Sequence, residues 1–199
     1  LRIIHSHDLI HRDLHSGNIL LNSLKSAYIA DLGLSITANI ASKSESKGIY
    51  GILPYIAPEI LNKQPYTKAS DIYSFGIIMW EILYGRCVPF VQNSNLQFQL
   101  QVCDGLRPHI YENTAICYVD LMKKCWNMDP KTASEIYDIF TEWRNDENIL
   151  LDLSESDKQL RNIKIEDKHV YIDSYYKSSF ISFNSDYEYK GCYKFKFFF

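Results

Sequence analysis

TKASDIYSFGIIMWEILYG, residues 67–85, is the stretch of sequence around which the rest of the chain can be arranged. It begins with polar residues, continues as a long apolar body and closes at Gly85, a residue type that commonly ends helices. Apolar side chains would lie on nearly every side of this helix, which is typical of a helix buried at the centre of a domain. The pattern therefore predicts a central helix that other helices cover.

Further helices are predicted after this segment, at about residues 95–103, 116–126 and 133–143, from apolar residues at helical spacing. After Arg144 the composition changes to a mixture of charged residues, serine and tyrosine without sustained periodicity. This change predicts one domain over residues 1–143 and a C-terminal tail, partly disordered, over 144–199.

Shorter patterns precede the central helix. The apolar segments NILL (18–21) and AYIA (27–30), joined by a short polar link, predict buried strands, with helix as the competing assignment. Residues 35–50, SITANIASKSESKGIY, are rich in serine and lysine and predict an exposed, flexible loop.

The overall composition excludes several classes of protein. The 199 residues are 46% hydrophobic and 23% charged, which allows a packed core, and the net charge of −3 argues against a dedicated nucleic-acid binder. No apolar run approaches the roughly 20 residues that a membrane-spanning helix needs, and the start does not resemble a signal peptide. Five irregularly spaced cysteines favour reduced thiols, and therefore a cytosolic or nuclear protein, over a disulfide framework.

Carboxylate and amide side chains recur in a fixed order along the first 71 residues. Asp13 and Asn18 bound the segment DLHSGN, and Asp31 follows an apolar run in DLG. The tripeptide APE, residues 57–59, comes after the serine-rich segment, and Asp71 lies at the start of the predicted central helix. In this order and spacing, residues 1–143 resemble the larger, catalytic lobe of a eukaryotic protein kinase.

The resemblance implies a mainly α fold, a helical lobe with a small β-ribbon at the catalytic loop. The smaller N-terminal lobe is expected to be absent from this chain, since ten residues precede His11 and no glycine-rich loop or strand lysine is among them. The implied function is transfer of the γ-phosphoryl group of ATP to serine, threonine or tyrosine hydroxyls of a protein substrate, with Mg²⁺ as cofactor.

The resemblance also assigns roles to individual residues. Asp13 is implied as the base that orients the substrate hydroxyl and accepts its proton, with His15 two residues after it. Asn18 and Asp31 are implied as oxygen ligands of the nucleotide-bound Mg²⁺, with Gly33 in the turn behind them. His15 stands where serine/threonine kinases usually have lysine, and a neutral imidazole is a weaker partner for phosphate.

Arg12 is implied to pair with a phosphate on the activation loop. Five hydroxyl-bearing residues are candidates for that phosphate, and the sequence does not choose among them: Thr37, Ser42, Ser44, Ser46 and Tyr50.

Three further residues are expected to support the fold. His11 is expected to pack beneath the catalytic loop, and Asp71 to accept backbone N–H groups from it. Glu59 would pair with an arginine following the segment CWNMDP in related proteins, but no arginine is found there in this chain. Either Lys131 substitutes for it or Glu59 reaches water.

Two departures bear on activity. The threonine that commonly bonds the catalytic aspartate is Ile52 here, and without the smaller lobe we expect little affinity for ATP. The alternative to an enzyme is a non-catalytic, pseudokinase-like module that binds a protein partner through the exposed lobe interface or the tyrosine-rich tail. For the final residues, YKGCYKFKFFF, an unstructured terminus is favoured over contact with a membrane or nucleic acid.

Overall fold

The computed structural model describes residues 1–23, 26–41, 48–89, 95–161 and 178–182. In these ranges the chain is mainly helical, as predicted. None of the helices described combines the length and the apolar character needed to cross a bilayer. The helices are α1 (Arg2–Ser6), α2 (Ala38–Ala41), α3 (Pro58–Leu61), α4 (Lys68–Tyr84), α5 (Asn95–Cys103), α6 (Ile116–Cys125), α7 (Ala133–Asn145) and α8 (Glu147–Arg161).

Helix α4 is the central helix that the sequence predicts. Thr67 and Ser70 cap its N-terminus reciprocally, each side chain accepting a hydrogen bond from the other's backbone N–H. Gly85 ends it in the left-handed conformation, with φ of 64°. Trp80 is completely buried, and buried residues occur along the helix from Ser70 to Glu81. The core of the lobe is therefore built around α4, and the three later helices predicted at 95–103, 116–126 and 133–143 are confirmed.

Helix α4 lies close to α6 at Gly76. A Cβ atom placed on this residue would lie 2.7 Å from the Cβ of Cys125 and 2.7 Å from Nε1 of Trp126. Such distances are far inside van der Waals contact, so α6 can pack here because residue 76 has no side chain.

Six short strands form three separate two-stranded antiparallel sheets within the described residues. Strands β1 (Leu9–Ile10) and β4 (Ile36–Thr37) pair with each other, as do β2 (Ile19–Leu21) and β3 (Ala27–Ile29), and β5 (Gly48–Gly51) and β6 (Ser179–Ser182). The strand prediction for NILL and AYIA is confirmed. The expectation that these strands are buried is wrong, because Leu20 and Tyr28, which face each other across the hairpin, are both more than half exposed.

The predicted exposed loop over residues 35–50 is wrong at both of its ends. Ile36 pairs with Ile10, Ala41 at the end of α2 is buried, and Ile49 in β5 is 2% exposed. These apolar residues hold the ends of the segment against the lobe, which the high serine and lysine content concealed. Residues 42–47 lie outside the described ranges.

The segment predicted as a tail contains two ordered elements. Helix α8 packs against α7, and its buried Ser156 accepts a hydrogen bond from the backbone N–H of Ala115 (2.9 Å) and donates one to the carbonyl of Asn113 (2.9 Å). Leu160 is also buried. The second element is β6, which pairs with β5 to form a two-stranded sheet.

Replacing Gly76 by alanine is expected to destabilise the fold by about 1–3 kcal/mol, because the added methyl group overpacks the α4–α6 contact. The measurement is the free energy of unfolding in a denaturant titration. Ile82→Ala, at an exposed position on the same helix, is the control and should change stability by about 0.5 kcal/mol or less. Equal stabilities for the two variants would show that the helices can separate without cost.

Candidate active site

Asp71 holds the loop of residues 11–18, called here the HRD loop, against helix α4. Its carboxylate accepts hydrogen bonds from the backbone N–H groups of His11 (2.8 Å) and Arg12 (3.0 Å). The same carboxylate contacts Nε2 of His5 in α1 at 2.9 Å. Asp71 is 1% exposed, so these donors, rather than water, stabilise its carboxylate. The carboxylate therefore joins α1 and the HRD loop to α4.

His11 connects the HRD loop to the end of strand β3. Its ring is fully buried and accepts a hydrogen bond from the backbone N–H of Asp13 at Nδ1 (3.3 Å). Nε2 lies 3.0 Å from the carbonyl oxygen of Ala30, which can only accept, so this nitrogen carries the proton. The ring therefore bridges the backbone of Asp13 and the carbonyl of Ala30, the residue that precedes Asp31.

Asp13 is buried, with 7% of its surface exposed, and a hydroxyl group lies on its carboxylate. The hydroxyl of Ser178, just before β6, is 2.9 Å from one carboxylate oxygen and 2.8 Å from the other. Gly51 of β5 also lies beside Asp13, because a Cβ atom there would be 3.5 Å from the Asp13 carboxylate. The predicted base is thus in contact with a group that can donate a proton to it.

His15 lies beside the same carboxylate, with Nε2 3.9 Å from Asp13 and 3.3 Å from the Ser178 hydroxyl. Nδ1 accepts a hydrogen bond from the backbone N–H of Gly17, which places the proton of the neutral ring on Nε2. Burial lowers the pKa of His15, and the charge of Asp13 partly opposes this effect. The imidazole is therefore neutral at physiological pH and offers one N–H donor beside Asp13.

Asn18 and Asp31 lie at the same end of the β2–β3 hairpin. The backbone N–H of Ala30 donates to the carbonyl of Asn18 (2.8 Å), so Asp31 follows directly after the residue paired with Asn18. The Asn18 amide nitrogen donates to the carbonyl of Asp13 (2.9 Å). The structure therefore brings the HRD loop, Asn18 and Asp31 to one end of the hairpin.

The backbone at Asp31 is strained. Its φ of 59° and ψ of 70° lie in the left-handed region, and its side chain accepts a hydrogen bond from the N–H of Gly33 (3.2 Å). A non-glycine residue in this conformation is uncommon, and such strain clusters at functional sites. Asp31 is exposed, which suits a ligand-binding group.

Hard oxygen donors suit Mg²⁺, which is commonly held by one or two carboxylates together with water and phosphate oxygens. Asn18 and Asp31 provide such donors and fit this incomplete protein ligand set. Among the described residues no group of three or more histidine, cysteine, aspartate or glutamate side chains could hold a metal ion.

Arg12 points towards a small cavity of about 10 Å³ that Asp13, Tyr66 and Asp71 also line. Its guanidinium carbon lies 4.7 Å above the ring of Tyr66, and its buried Nε has no hydrogen-bond partner among the described residues. Its backbone is left-handed, with φ of 74°.

The two described phosphorylation candidates, Thr37 and Tyr50, both lie in β-strands. Thr37 pairs with Leu9 in the β1–β4 sheet, and Tyr50 pairs with Phe180 in the β5–β6 sheet. Ser42, Ser44 and Ser46 lie outside the described residues. The phosphate partner of Arg12 stays a prediction.

Lys131 does not take the place of the missing arginine, because it pairs with Glu135 (3.4 Å). Glu59 is half-buried, and burial raises its pKa above the ordinary value, an effect that the charge of Arg107 partly offsets. Within the described residues Glu59 has no ion pair inside 4 Å. Arg107 stacks over Tyr73 and donates to backbone carbonyls of Val102 and Leu106. Sequence reasoning missed this arginine because it precedes the segment in which a partner was sought.

Sequence reasoning also missed a buried network beneath the HRD loop. The hydroxyl of Tyr55 donates to Glu81 in α4 (2.6 Å) and contacts the hydroxyl of Ser16 (3.0 Å). The other carboxylate oxygen of Glu81 accepts the backbone N–H of Val88 (3.1 Å), and Ser74 donates to the carbonyl of Tyr55 (2.7 Å). A glutamate inside the predicted buried helix was the available signal, since a buried carboxylate requires donors.

Comparison with known proteins gives consistent matches. The family model described as protein tyrosine and serine/threonine kinase matches residues 1–142. Over 160 residues the chain is 36% identical to ankyrin repeat and protein kinase domain-containing protein 1 of Homo sapiens, a match covering 74% of this chain and 20% of that protein. It is 34% identical over 140 residues to serine/threonine/tyrosine-protein kinase HT1 of Arabidopsis thaliana, covering 70% of this chain and 35% of that protein.

A third relative is RGS domain-containing serine/threonine-protein kinase A of Dictyostelium discoideum, 35% identical over 130 residues, which cover 65% of this chain and 11% of that protein. The chain spans between 11% and 35% of the length of these three relatives.

Asp71→Asn is expected to destabilise the fold by about 3 kcal/mol. The asparagine side chain has no charge, and its NH₂ group would face a backbone N–H of His11 or Arg12 that needs an acceptor. The measurement is the free energy of unfolding at pH 7. Asp8→Asn is the matched control: Asp8 forms an exposed ion pair with Lys68, so its loss should cost under about 1 kcal/mol. A similar small cost at both positions would mean that Asp71 does not hold the loop.

Glu59→Gln is expected to leave stability unchanged or to raise it slightly at pH 7. Because its folded-state pKa is raised, the folded protein binds the Glu59 proton more tightly than the unfolded chain. The contribution of Glu59 to the free energy of unfolding is then favourable at low pH. It is lost as the pH rises above 4.5, the ordinary pKa of a glutamate side chain.

The free energy of unfolding, measured from pH 3 to 7, should show the difference between Glu59→Gln and the parent chain shrinking as the pH falls towards about 4.5 and vanishing below that pH. A loss of roughly 3–5 kcal/mol at pH 7 would instead show that Glu59 has a buried charged partner.

Proposed function

Since the chain belongs to the protein tyrosine and serine/threonine kinase family, we propose that it forms the catalytic lobe of a domain that transfers the γ-phosphoryl group of ATP to hydroxyl groups of a protein substrate. One observation carries this proposal. The buried carboxylate of Asp13 accepts a hydrogen bond from a serine hydroxyl at 2.8–2.9 Å, the distance required of a base that takes a proton from an attacking oxygen.

The residues around Asp13 would position the reacting hydroxyl. Asp13 orients the hydroxyl and accepts its proton, and His11 and Asp71 fix the backbone from which Asp13 projects. The N–H of neutral His15 can donate to the same oxygen and so limits the directions from which it can attack. The expected gain from a general base positioned in this way is roughly 10²–10⁴-fold in rate.

Asn18 and Asp31 would hold Mg²⁺, with phosphate oxygens and water completing its coordination. When bound, the ion neutralises charge on the phosphates of ATP. Asp31, left-handed in its backbone and exposed, lies at the end of the β2–β3 hairpin and is accessible to a nucleotide.

The exposed face of this hairpin would meet the smaller lobe of a complete kinase domain. Leu20 and Tyr28 are 55% and 57% exposed on adjacent strands, and Leu32 beyond the hairpin is 49% exposed. Contiguous exposed apolar residues of this kind mark interaction surfaces.

Tyr55 before the APE tripeptide favours the serine/threonine branch of the family.

A non-catalytic interaction module is the second candidate function. It is favoured by Ile52, which is buried and has no hydroxyl to offer Asp13, and by the tail segment that already lies on that carboxylate. In that case the exposed hairpin face would bind a protein partner.

A transfer assay with the complete kinase domain tests the proposed function. Sequencing the transcript through its 5′ end would show whether the reading frame continues upstream into a smaller lobe. With ATP and Mg²⁺, phosphate should appear on serine or threonine of a general protein substrate, and Asp13→Asn should slow the transfer by roughly 10²–10⁴-fold. Transfer that is unaffected by this substitution, or that does not occur, would favour the interaction module.

The 199-residue chain alone is expected to bind ATP weakly, because it presents one side of the nucleotide site. Addition of 5 mM ATP and Mg²⁺ should raise its Tm by less than about 2 °C, whereas ligand at 100 times its Kd would stabilise by about 2.7 kcal/mol, or several degrees. Mg²⁺ with inorganic phosphate is the control for ionic effects. A rise of several degrees specific to ATP would show that this lobe binds the nucleotide without the other.

A further inference from the structure

Residues 178–182 lie on the HRD loop and on β5 as an added strand. Strand β6 pairs antiparallel with β5 in the register Gly51↔Ser179, Tyr50↔Phe180, Ile49↔Ile181 and Gly48↔Ser182. Strand β5 leads directly into Ile52 and towards the APE tripeptide. An extended segment added to a free strand edge is a common mode of peptide recognition, in which backbone hydrogen bonds give affinity and alternate side chains give specificity.

The surface of β5 accommodates this strand closely. A Cβ atom on Gly48 would lie 2.5 Å from the carbonyl oxygen of Ile181 and 2.5 Å from the ring of Phe180, so residue 48 must lack a side chain for β6 to bind. Ile181 packs against the core, whereas Phe180 is 63% exposed. The strand therefore has one face against the lobe and the other in solvent.

Pairing in this register places Ser178 at the carboxylate of Asp13. Its hydroxyl is within 2.9 Å of both carboxylate oxygens and 3.3 Å from Nε2 of His15. Ser178 is 165 residues from Asp13 along the chain, so the contact is made by tertiary structure and not by local geometry.

We propose that β5 and Asp13 form a binding site for an extended peptide with a serine at the reacting position, and that residues 178–182 occupy this site within the same chain, with Ser178 as the phosphate acceptor. This inference rests on the proposed function for its chemistry, but the binding itself does not require catalysis. A tethered strand has an effective concentration in the millimolar range, so an external substrate would have to displace it.

The reaction at Ser178 balances with a nucleoside triphosphate as the co-reactant. The Ser178 oxygen forms a bond to the γ-phosphorus, the bond from that phosphorus to the bridging oxygen breaks, and the nucleoside diphosphate leaves with the electron pair. The hydroxyl proton passes to Asp13. The product carries a phosphate with about −1.5 to −2 charges beside the Asp13 carboxylate, and repulsion between them would release the strand and open the site.

Hydrogen exchange of the full 199-residue chain tests the binding. In the parent chain the backbone amides of residues 48–51 should be protected. Ser178→Asp should speed their exchange roughly tenfold or more, because it places a second carboxylate against Asp13 in a partly desolvated site. Ser179→Asp is the matched control: it adds the same charge one residue along, where the side chain is exposed, and should have a much smaller effect.

A second substitution separates repulsion from general damage to the strand. Combining Asp13→Asn with Ser178→Asp removes one of the two charges and should restore most of the protection. Equal exchange in Ser178→Asp and Ser179→Asp, or absence of protection in the parent chain, would overturn the proposed binding.

The acceptor assignment has its own test in the transfer assay with the complete domain. Phosphate should appear on Ser178 at a fractional rate that does not change when the protein is diluted, as expected for an intramolecular reaction. Phosphorylation of an external substrate without phosphorylation of Ser178 would overturn the acceptor assignment while leaving the proposed function standing. Protection at residues 48–51 without any transfer would instead refute the proposed function and leave the binding supported.

Discussion

The contact between the Asp71 carboxylate and the backbone N–H groups of His11 and Arg12 is the constraint on which the rest of the site depends. A buried negative charge is stable only where donors surround it, so its position on α4 dictates where the HRD loop must lie. Arg12 has a strained, left-handed backbone, and its backbone N–H donates to Asp71. This hydrogen bond helps to hold Arg12 in that conformation. The position of Asp13 is therefore set by a carboxylate on the central helix of the core.

Features governed by local patterns could be predicted from the sequence. The bounds of α4 follow from its capping residues and from Gly85, and α5, α6 and α7 follow from apolar spacing, because each depends on residues within one or two turns. The residue types of the site could also be identified, since their spacing along the chain is that of a known family. Their orientation could not be predicted, because the ring of His11 is oriented by its bond to Ala30 and Asp31 adopts a left-handed backbone conformation.

Long-range contacts explain what sequence reasoning missed. Strand β6 is four residues long in a segment with no periodic pattern, and its partner lies about 130 positions away. The bonds from Tyr55 to Glu81 and the electrostatic effect of Arg107 on Glu59 likewise join elements that no short window contains. Apolar content also misled the expectation that β2 and β3 are buried, because Leu20 and Tyr28 are apolar but exposed in this lobe.

The hydroxyl of Ser156 has a practical consequence for dissecting this protein. It forms hydrogen bonds with both the amide of Ala115 and the carbonyl of Asn113, just before the N-terminus of α6. Ser156 belongs to α8, which lies beyond the part of the chain that the family model covers. Cutting an expression clone at the end of that match would strip α8 away and leave two backbone groups at the head of α6 needing new partners. A cloning boundary placed after Arg161 retains α8 and its contacts with the start of α6. In this protein, the segment that the family model matches is shorter than the segment that packs together.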